Sequence, residues 1–67
     1  MKIGNVLKEL RLEKRLTQND VADYLRCKRQ TYTRYENDQR QIDLFTLCLL
    51  ADLYEVSTDY ILGRKNY

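Results

Sequence analysis

The residues between Lys28 and Arg34 carry the chemistry in this chain. Within residues 17–36, TQNDVADYLRCKRQTYTRYE, the side chains of Lys28, Arg29, Gln30, Thr33 and Arg34 fall on the side away from Tyr32 and Tyr35. Tyr32 and Tyr35 are three apart, the spacing of a buried helical stripe. Arginine and lysine donate to the acceptor edge of guanine, glutamine pairs with adenine, and all of them can donate to phosphate oxygens. An exposed helix bearing these groups has the chemistry to enter a major groove and pair with base edges. The plain competitor is a solvated charge run that serves solubility.

Such a helix must be held against something, and the residues before it supply the support. Val21, Ala22 and Leu25 form an apolar stripe on a preceding short helix, and the interval to Tyr32 is too short for a long loop. The two helices must therefore cross and pack directly, with Ala22 at the crossing, where a small side chain lets backbones approach. This is the arrangement of a helix-turn-helix reader of duplex DNA. A first helix is expected over residues 3–15, with Ile3, Val6, Leu7 and Leu10 on its core stripe. Thr17 should cap the second helix, with Asp20 completing a capping-box-like pattern. The third helix is expected over residues 29–37. Asp43 should cap a fourth that continues to about residue 54. Ser57 should cap a short fifth ending near Leu62, and Gly63 suits its C-terminus. The expected fold is all-α, a compact five-helix bundle, with residues 1–63 as one domain and 64–67 as a short tail.

Composition bounds the same answer. The chain has 67 residues, no Pro, and glycine only at Gly4 and Gly63. That leaves room for one modest core and disfavours a turn-rich β architecture. Cys27 and Cys48 lie among apolar neighbours without a secretory signal, which fits reduced thiols in the cytoplasm better than a disulfide. No apolar run approaches a membrane span. The chain has no His, the two cysteines lack supporting ligands, and there is no glycine-rich phosphate loop. Catalysis, a metal site and a cofactor are accordingly not expected.

The net charge of +2 is unevenly spread. Residues 26–40 hold Arg26, Lys28, Arg29, Arg34 and Arg40 against Glu36 and Asp38. Residues 41–62 hold Asp43, Asp52, Glu55 and Asp59 and no basic residue. A molecule polarised in this way presents one face to a polyanion and turns the other away.

With these residues in view, residues 3–63 resemble the phage repressor and Cro type of helix-turn-helix domain found in small bacterial and phage regulators. The matching motifs are IGNVLKELRLEKRLTQ, VADYL, RQTYTRYEN and LADLYEVSTDYILG, in that order. The resemblance implies a lambda-repressor-like bundle and a sequence-specific DNA-binding transcriptional regulator, a repressor above all, acting as a homodimer on a two-fold operator. It implies a phosphate contact at Gln18, whose helix end points free N–H groups at the backbone. Asn37 and Arg40 are expected to clamp phosphate, while Lys28, Arg29, Gln30, Thr33 and Arg34 face bases. Arg11 and Glu36 occupy positions that the family commonly joins by an ion pair. The family usually carries Gly where this chain has Arg26, Asp38 and Glu55, and Ser or Thr where it has Lys28. The second reading is a protein-interaction or antitoxin-type module that keeps the fold and acts through a protein partner. No second effector domain is expected within the 67 residues, so no small-molecule ligand is expected either.

The fourth helix is apolar on two sides. Leu44, Leu47, Cys48, Leu50, Ala51 and Tyr54 form the expected core stripe. Phe45, Leu49 and Leu53 form a second row on the opposite side. Because an exposed apolar row tends to mark an interface, the second row is the expected dimer surface. The plain competitor is that Leu53 packs on the fifth helix around Tyr60 and Ile61, with Phe45 and Leu49 as scattered exposed residues. Tyr24, Tyr32, Tyr35, Tyr54 and Tyr60 are read mostly as packing residues with hydroxyls at the rim.

Overall fold

The computed structural model describes residues 2–64. Among them five helices follow in order: α1 (Gly4–Glu13), α2 (Gln18–Leu25), α3 (Arg29–Glu36), α4 (Leu44–Tyr54) and α5 (Thr58–Ile61). They enclose one core built on Leu7, Val21, Tyr32, Leu50 and Ile61, each almost fully buried. None of these helices is long and apolar enough to cross a membrane.

Local chemistry explains where the helices start. Thr17 accepts the Asp20 N–H at 3.0 Å while Asp20 accepts the Thr17 N–H at 2.8 Å, a reciprocal capping box. Asp43 accepts the Thr46 N–H at 3.1 Å and Ser57 accepts the Tyr60 N–H at 3.0 Å. Lys28 stands at the start of α3 without a side-chain cap. The start of α1 is capped from a distance: Asp38 Oδ1 accepts from the N–H groups of Ile3 at 3.0 Å and Gly4 at 2.9 Å. Gly4 is obligatory there. A β-carbon on it would lie 2.0 Å from the Glu36 carbonyl oxygen, so α1 meets the end of α3 backbone to backbone.

All five helices stop in the same way, on a left-handed residue whose N–H groups and those of its successor return to the last carbonyls. After α5 the N–H of Gly63 donates to the Tyr60 carbonyl and that of Arg64 to Asp59. Arg15, Arg26, Asp38 and Glu55 do the same for α1 to α4, with φ between 57° and 59°. Three of these four are the positions where the family's glycine is replaced. Arg15 is the one that the sequence pattern did not single out. The tail expected over 64–67 lies outside the described residues from 65 on, and Arg64 belongs to the α5 terminus.

The expected core stripe of α4 needs correction. Leu47, Leu50, Ala51 and Tyr54 form the buried seam, but Leu44 is 80% exposed and Cys48 is exposed too. Leu44 is the first helical residue, and Cys48 lies about 100° round the helix from Leu47. The helix is turned toward its Leu53 side, where Leu53 packs half-buried against the core. The second row is thus split. Phe45 is 73% exposed, Leu49 is half-buried and Leu53 belongs to the fold. The open apolar face is Leu44, Phe45, Cys48 and the edge of Leu49. Among the tyrosines, Tyr32, Tyr35 and Tyr54 are buried, Tyr60 is half-buried, and Tyr24 is 43% exposed and not a core residue.

Candidate nucleic-acid interface

α3 is seated by Tyr32, Tyr35 and Glu36 on its inner side, and Val21 and Ala22 of α2 are buried where the two helices pack. Tyr32 and Tyr35 meet edge to face, with ring centroids 6.5 Å apart. With that side fixed, Arg29, Gln30 and Arg34 form an exposed ridge, and Thr33 sits half-buried between them. Lys28 is exposed at the turn, ahead of the ridge. Asn37 is exposed at the C-terminus of α3. Arg40 lies beyond it with its guanidinium 5.8 Å from the centre of the Tyr35 ring, a cation–π contact that restrains a loop side chain.

Behind the ridge lies a polar network centred on Glu36. Arg11 donates through Nε to Glu36 Oε2 at 2.7 Å and through Nη2 to Oε1 at 3.2 Å. Its third group, Nη1, donates to the Leu16 carbonyl at 3.0 Å. Gln18 Nε2 donates to Glu36 Oε1 at 3.1 Å, and the Thr33 hydroxyl donates to Gln18 Oε1 at 2.8 Å. The Tyr32 hydroxyl also reaches Glu36 and lies 2.8 Å from the Tyr54 hydroxyl. A carboxylate only accepts, so Tyr32 donates to Glu36 and Tyr54 donates to Tyr32.

Burial by itself would raise the Glu36 pKa. The hydrogen bonds from Arg11, Tyr32 and Gln18 outweigh it and hold the carboxyl below its ordinary range. The same hydrogen bond raises the Arg11 pKa, so the pair is fully ionised near neutrality. Burial pushes the Tyr32 phenol well above its ordinary value and that of Tyr54 up to about 12, so both hydroxyls stay protonated donors.

The network has an electrostatic consequence for the outer surface. Both acids of residues 26–40 are engaged elsewhere, Glu36 by Arg11 and Asp38 by the N-terminus of α1. Arg26, Lys28, Arg29, Arg34 and Arg40 are all exposed. Because Arg11 neutralises Glu36, the surface here is more positive than the sequence balance alone implies, although the exposed Asp38 carboxylate keeps its charge. Arg29 also reaches the rim of an open basin at the start of α2, lined by Arg11, Leu16, Thr17, Gln18 and Asn19. First-turn N–H groups of a helix have no carbonyl of their own helix to meet, so this basin suits an anion.

Three features of the site escaped the sequence pattern. The Asp38 cap on α1 carried a weak signal, an acid where the family has glycine. The hydrogen bond from Thr33 to Gln18 carried none, since both residues read as solvent-facing. The ion pair between Lys14 and Glu55, which ties α1 to the end of α4, joins two exposed side chains far apart in sequence and was equally invisible.

Comparison with known proteins agrees with this geometry. The helix-turn-helix family model matches residues 7–61. The HTH-type transcriptional regulator ImmR of Bacillus subtilis (strain 168) is 42% identical over 64 residues, covering 96% of this chain and 50% of its own length. The HTH-type transcriptional regulator AnsR of the same organism is 39% identical over 59 residues, 88% of this chain and 51% of that protein. A prophage-derived relative, the SPbeta regulator YonR, is 41% identical over 59 residues, covering 88% of this chain and 55% of its own. The chain spans about half the length of these curated relatives.

Proposed function

Because the chain belongs to the helix-turn-helix family of the phage-repressor type, we propose that it is a sequence-specific double-stranded DNA-binding transcriptional regulator. In this reading it is a repressor that lays α3 in the major groove. The observation that carries the proposal is the ridge of Arg29, Gln30 and Arg34, exposed on a short helix whose opposite side is locked by Tyr32, Tyr35 and Glu36. Arg29, Gln30 and Arg34 face base edges, with Lys28 at their approach. Gln18, Asn37 and Arg40 contact phosphates on either side, which fixes the register without reading sequence.

A two-fold operator requires two copies, with recognition helices about 34 Å apart on one side of the duplex. The proposed dimer surface is the open apolar face of α4, Leu44, Phe45, Cys48 and Leu49. It lies in the segment that carries acids and no basic residue, so a second copy seated there leaves the basic ridge free. Both cysteines are free thiols, in keeping with a reducing cytoplasm.

The test is selection of bound sites from random duplex DNA, followed by titration of the selected site at several salt concentrations. Enrichment of a two-fold motif, with affinity falling linearly in log–log salt, supports the reading. Absence of any enriched motif, with capture of a protein partner instead, supports the interaction-module alternative.

A further inference from the structure

The hydrogen bond between Thr33 and Gln18 assigns a role to a residue whose place on α3 suggests base reading. Thr33 is half-buried, and its hydroxyl donates at 2.8 Å to Gln18 Oε1. The direction of this bond is forced. Glu36 is ionised and accepts only, so the Gln18 amide must turn its nitrogen to Glu36, at 3.1 Å, and its oxygen to Thr33. Glu36 is itself held by two bonds from Arg11 and one from Tyr32, so the chain of orientation begins in the core. Gln18 is left with its second amide N–H, beside the first-turn N–H groups of α2 and on the rim of the basin shared with Arg29. The amide cannot turn its oxygen outward without breaking both bonds. Its free group is a donor, which suits a phosphate.

We propose that Thr33 is a positioning residue: its hydroxyl holds Gln18 in the orientation that donates to a DNA phosphate, and it reads no base itself. This rests on the DNA-binding reading above. It divides the face of α3 into readers, Arg29, Gln30 and Arg34, and one residue whose polar atom is spent inward. It also links the buried ion pair to affinity, because anything that frees Glu36 frees the amide as well.

The experiment is a double-mutant cycle on the DNA site selected by the parent protein and on single-base variants of that site. Thr33→Val removes the hydroxyl at nearly constant shape. It should weaken binding about three- to tenfold, the range one net hydrogen bond supports, and by the same factor on every site. Thr33→Ser should restore parental affinity. In a Gln18→Ala background Thr33→Val should cost nothing further, and thermal unfolding of each variant should show that it is folded. A change in preferred base on Thr33→Val, or a full additive loss in the Gln18→Ala background, overturns the assignment while leaving the DNA-binding reading intact. If the parent selects no DNA site, the DNA-binding reading falls and this inference falls with it.

Discussion

The outer faces of α3 and α4 are opposite solutions to the same geometric problem. Each helix buries one side in the bundle and leaves the other open. α3 opens charge and amides, on a base of buried polar bonds around Glu36, whereas α4 opens Leu44 and Phe45 above a seam whose one polar group is the Tyr54 hydroxyl. On α3 the alternation of polar and apolar residues dictates which side turns in, because burying Arg29 or Arg34 unpaired would be prohibitive. On α4 nearly every position is apolar, so a rotation about the axis exchanges one hydrocarbon for another at small cost. What settles its rotation is the fit of Leu47, Leu50, Ala51 and Tyr54 against the other helices. Specificity of orientation comes from the residues that cannot be buried, more than from those that can.

The strongest way to break this contrast is to remove the charge beneath α3. Arg11→Ala leaves Glu36 buried without its main partner, and should cost about 3 kcal/mol in denaturant unfolding. Lys8→Ala, on the exposed side of α1, should stay within about 0.5 kcal/mol of the parent. Equal stability of the two variants would mean that the polar network does not anchor the helix.

A gentler perturbation of the same network is acid. The Glu36 pKa is lowered on folding from an ordinary 4.5, so its contribution is fully present above that value and drains away as pH falls below it. Asp43 and Glu55 are lowered as well, through the α4 cap and the Lys14 pair, and titrate in the same region. The informative quantity is therefore the stability difference between the parent and Glu36→Gln. That difference should shrink as pH falls below 4.5, as measured by denaturant titration at successively lower pH. A constant difference would show that Glu36 is not ionised in the folded chain.

These two helices also show how far the sequence was legible. The five elements, the caps at Thr17, Asp43 and Ser57, and the inner side of α3 could all be read, because each rests on local spacing or on an intolerance of burial. Leu44 and Cys48 were misplaced, and Leu53 stayed open between the dimer row and packing on the fold, because hydrophobicity that runs all round a helix carries no phase. Asp38 and Thr33 were opaque for another reason. Their partners, the N-terminus of α1 and Gln18, are distant in sequence, and short polar side chains of this kind read as solvent-facing until the packing is known.

On the apolar side of the contrast, the expected effects on folding are small and those on assembly are clear. Leu44→Ser should change stability by no more than about 0.5 kcal/mol, whereas Leu47→Ala in the seam should cost about 2–5 kcal/mol. Phe45→Glu combined with Leu49→Lys should give a folded monomer that binds half-sites weakly. Sedimentation of the parent and the double variant checks this. A parent that is monomeric at high concentration, or a double variant that still dimerises, removes α4 as the interface.

The smallest effect concerns the turns that carry both helices, and it separates residues that look equivalent. Arg26 ends α2 and Asp38 ends α3, both left-handed, at φ 59° and φ 58°. A side chain in that conformation costs roughly 1–2 kcal/mol relative to glycine, and a new glycine returns roughly 0.4–1 kcal/mol of that by loosening the unfolded chain. Arg26 is exposed, so Arg26→Gly should be neutral or stabilise the fold by up to roughly 1.5 kcal/mol, the remainder of those two terms. If the Arg26 side chain adds to the positive field, the same variant should bind DNA with a shallower salt dependence. Asp38 differs because its carboxylate holds the N–H groups of Ile3 and Gly4. Losing such a cap costs about 1 kcal/mol or more, so Asp38→Gly should be neutral or destabilising in spite of the relieved backbone. Thermal unfolding of the two variants side by side decides the matter. If both gained stability equally, the Asp38 carboxylate would contribute nothing to α1, and the first helix would be tied to the end of α3 by the Arg11 and Glu36 pair and the close approach at Gly4 instead.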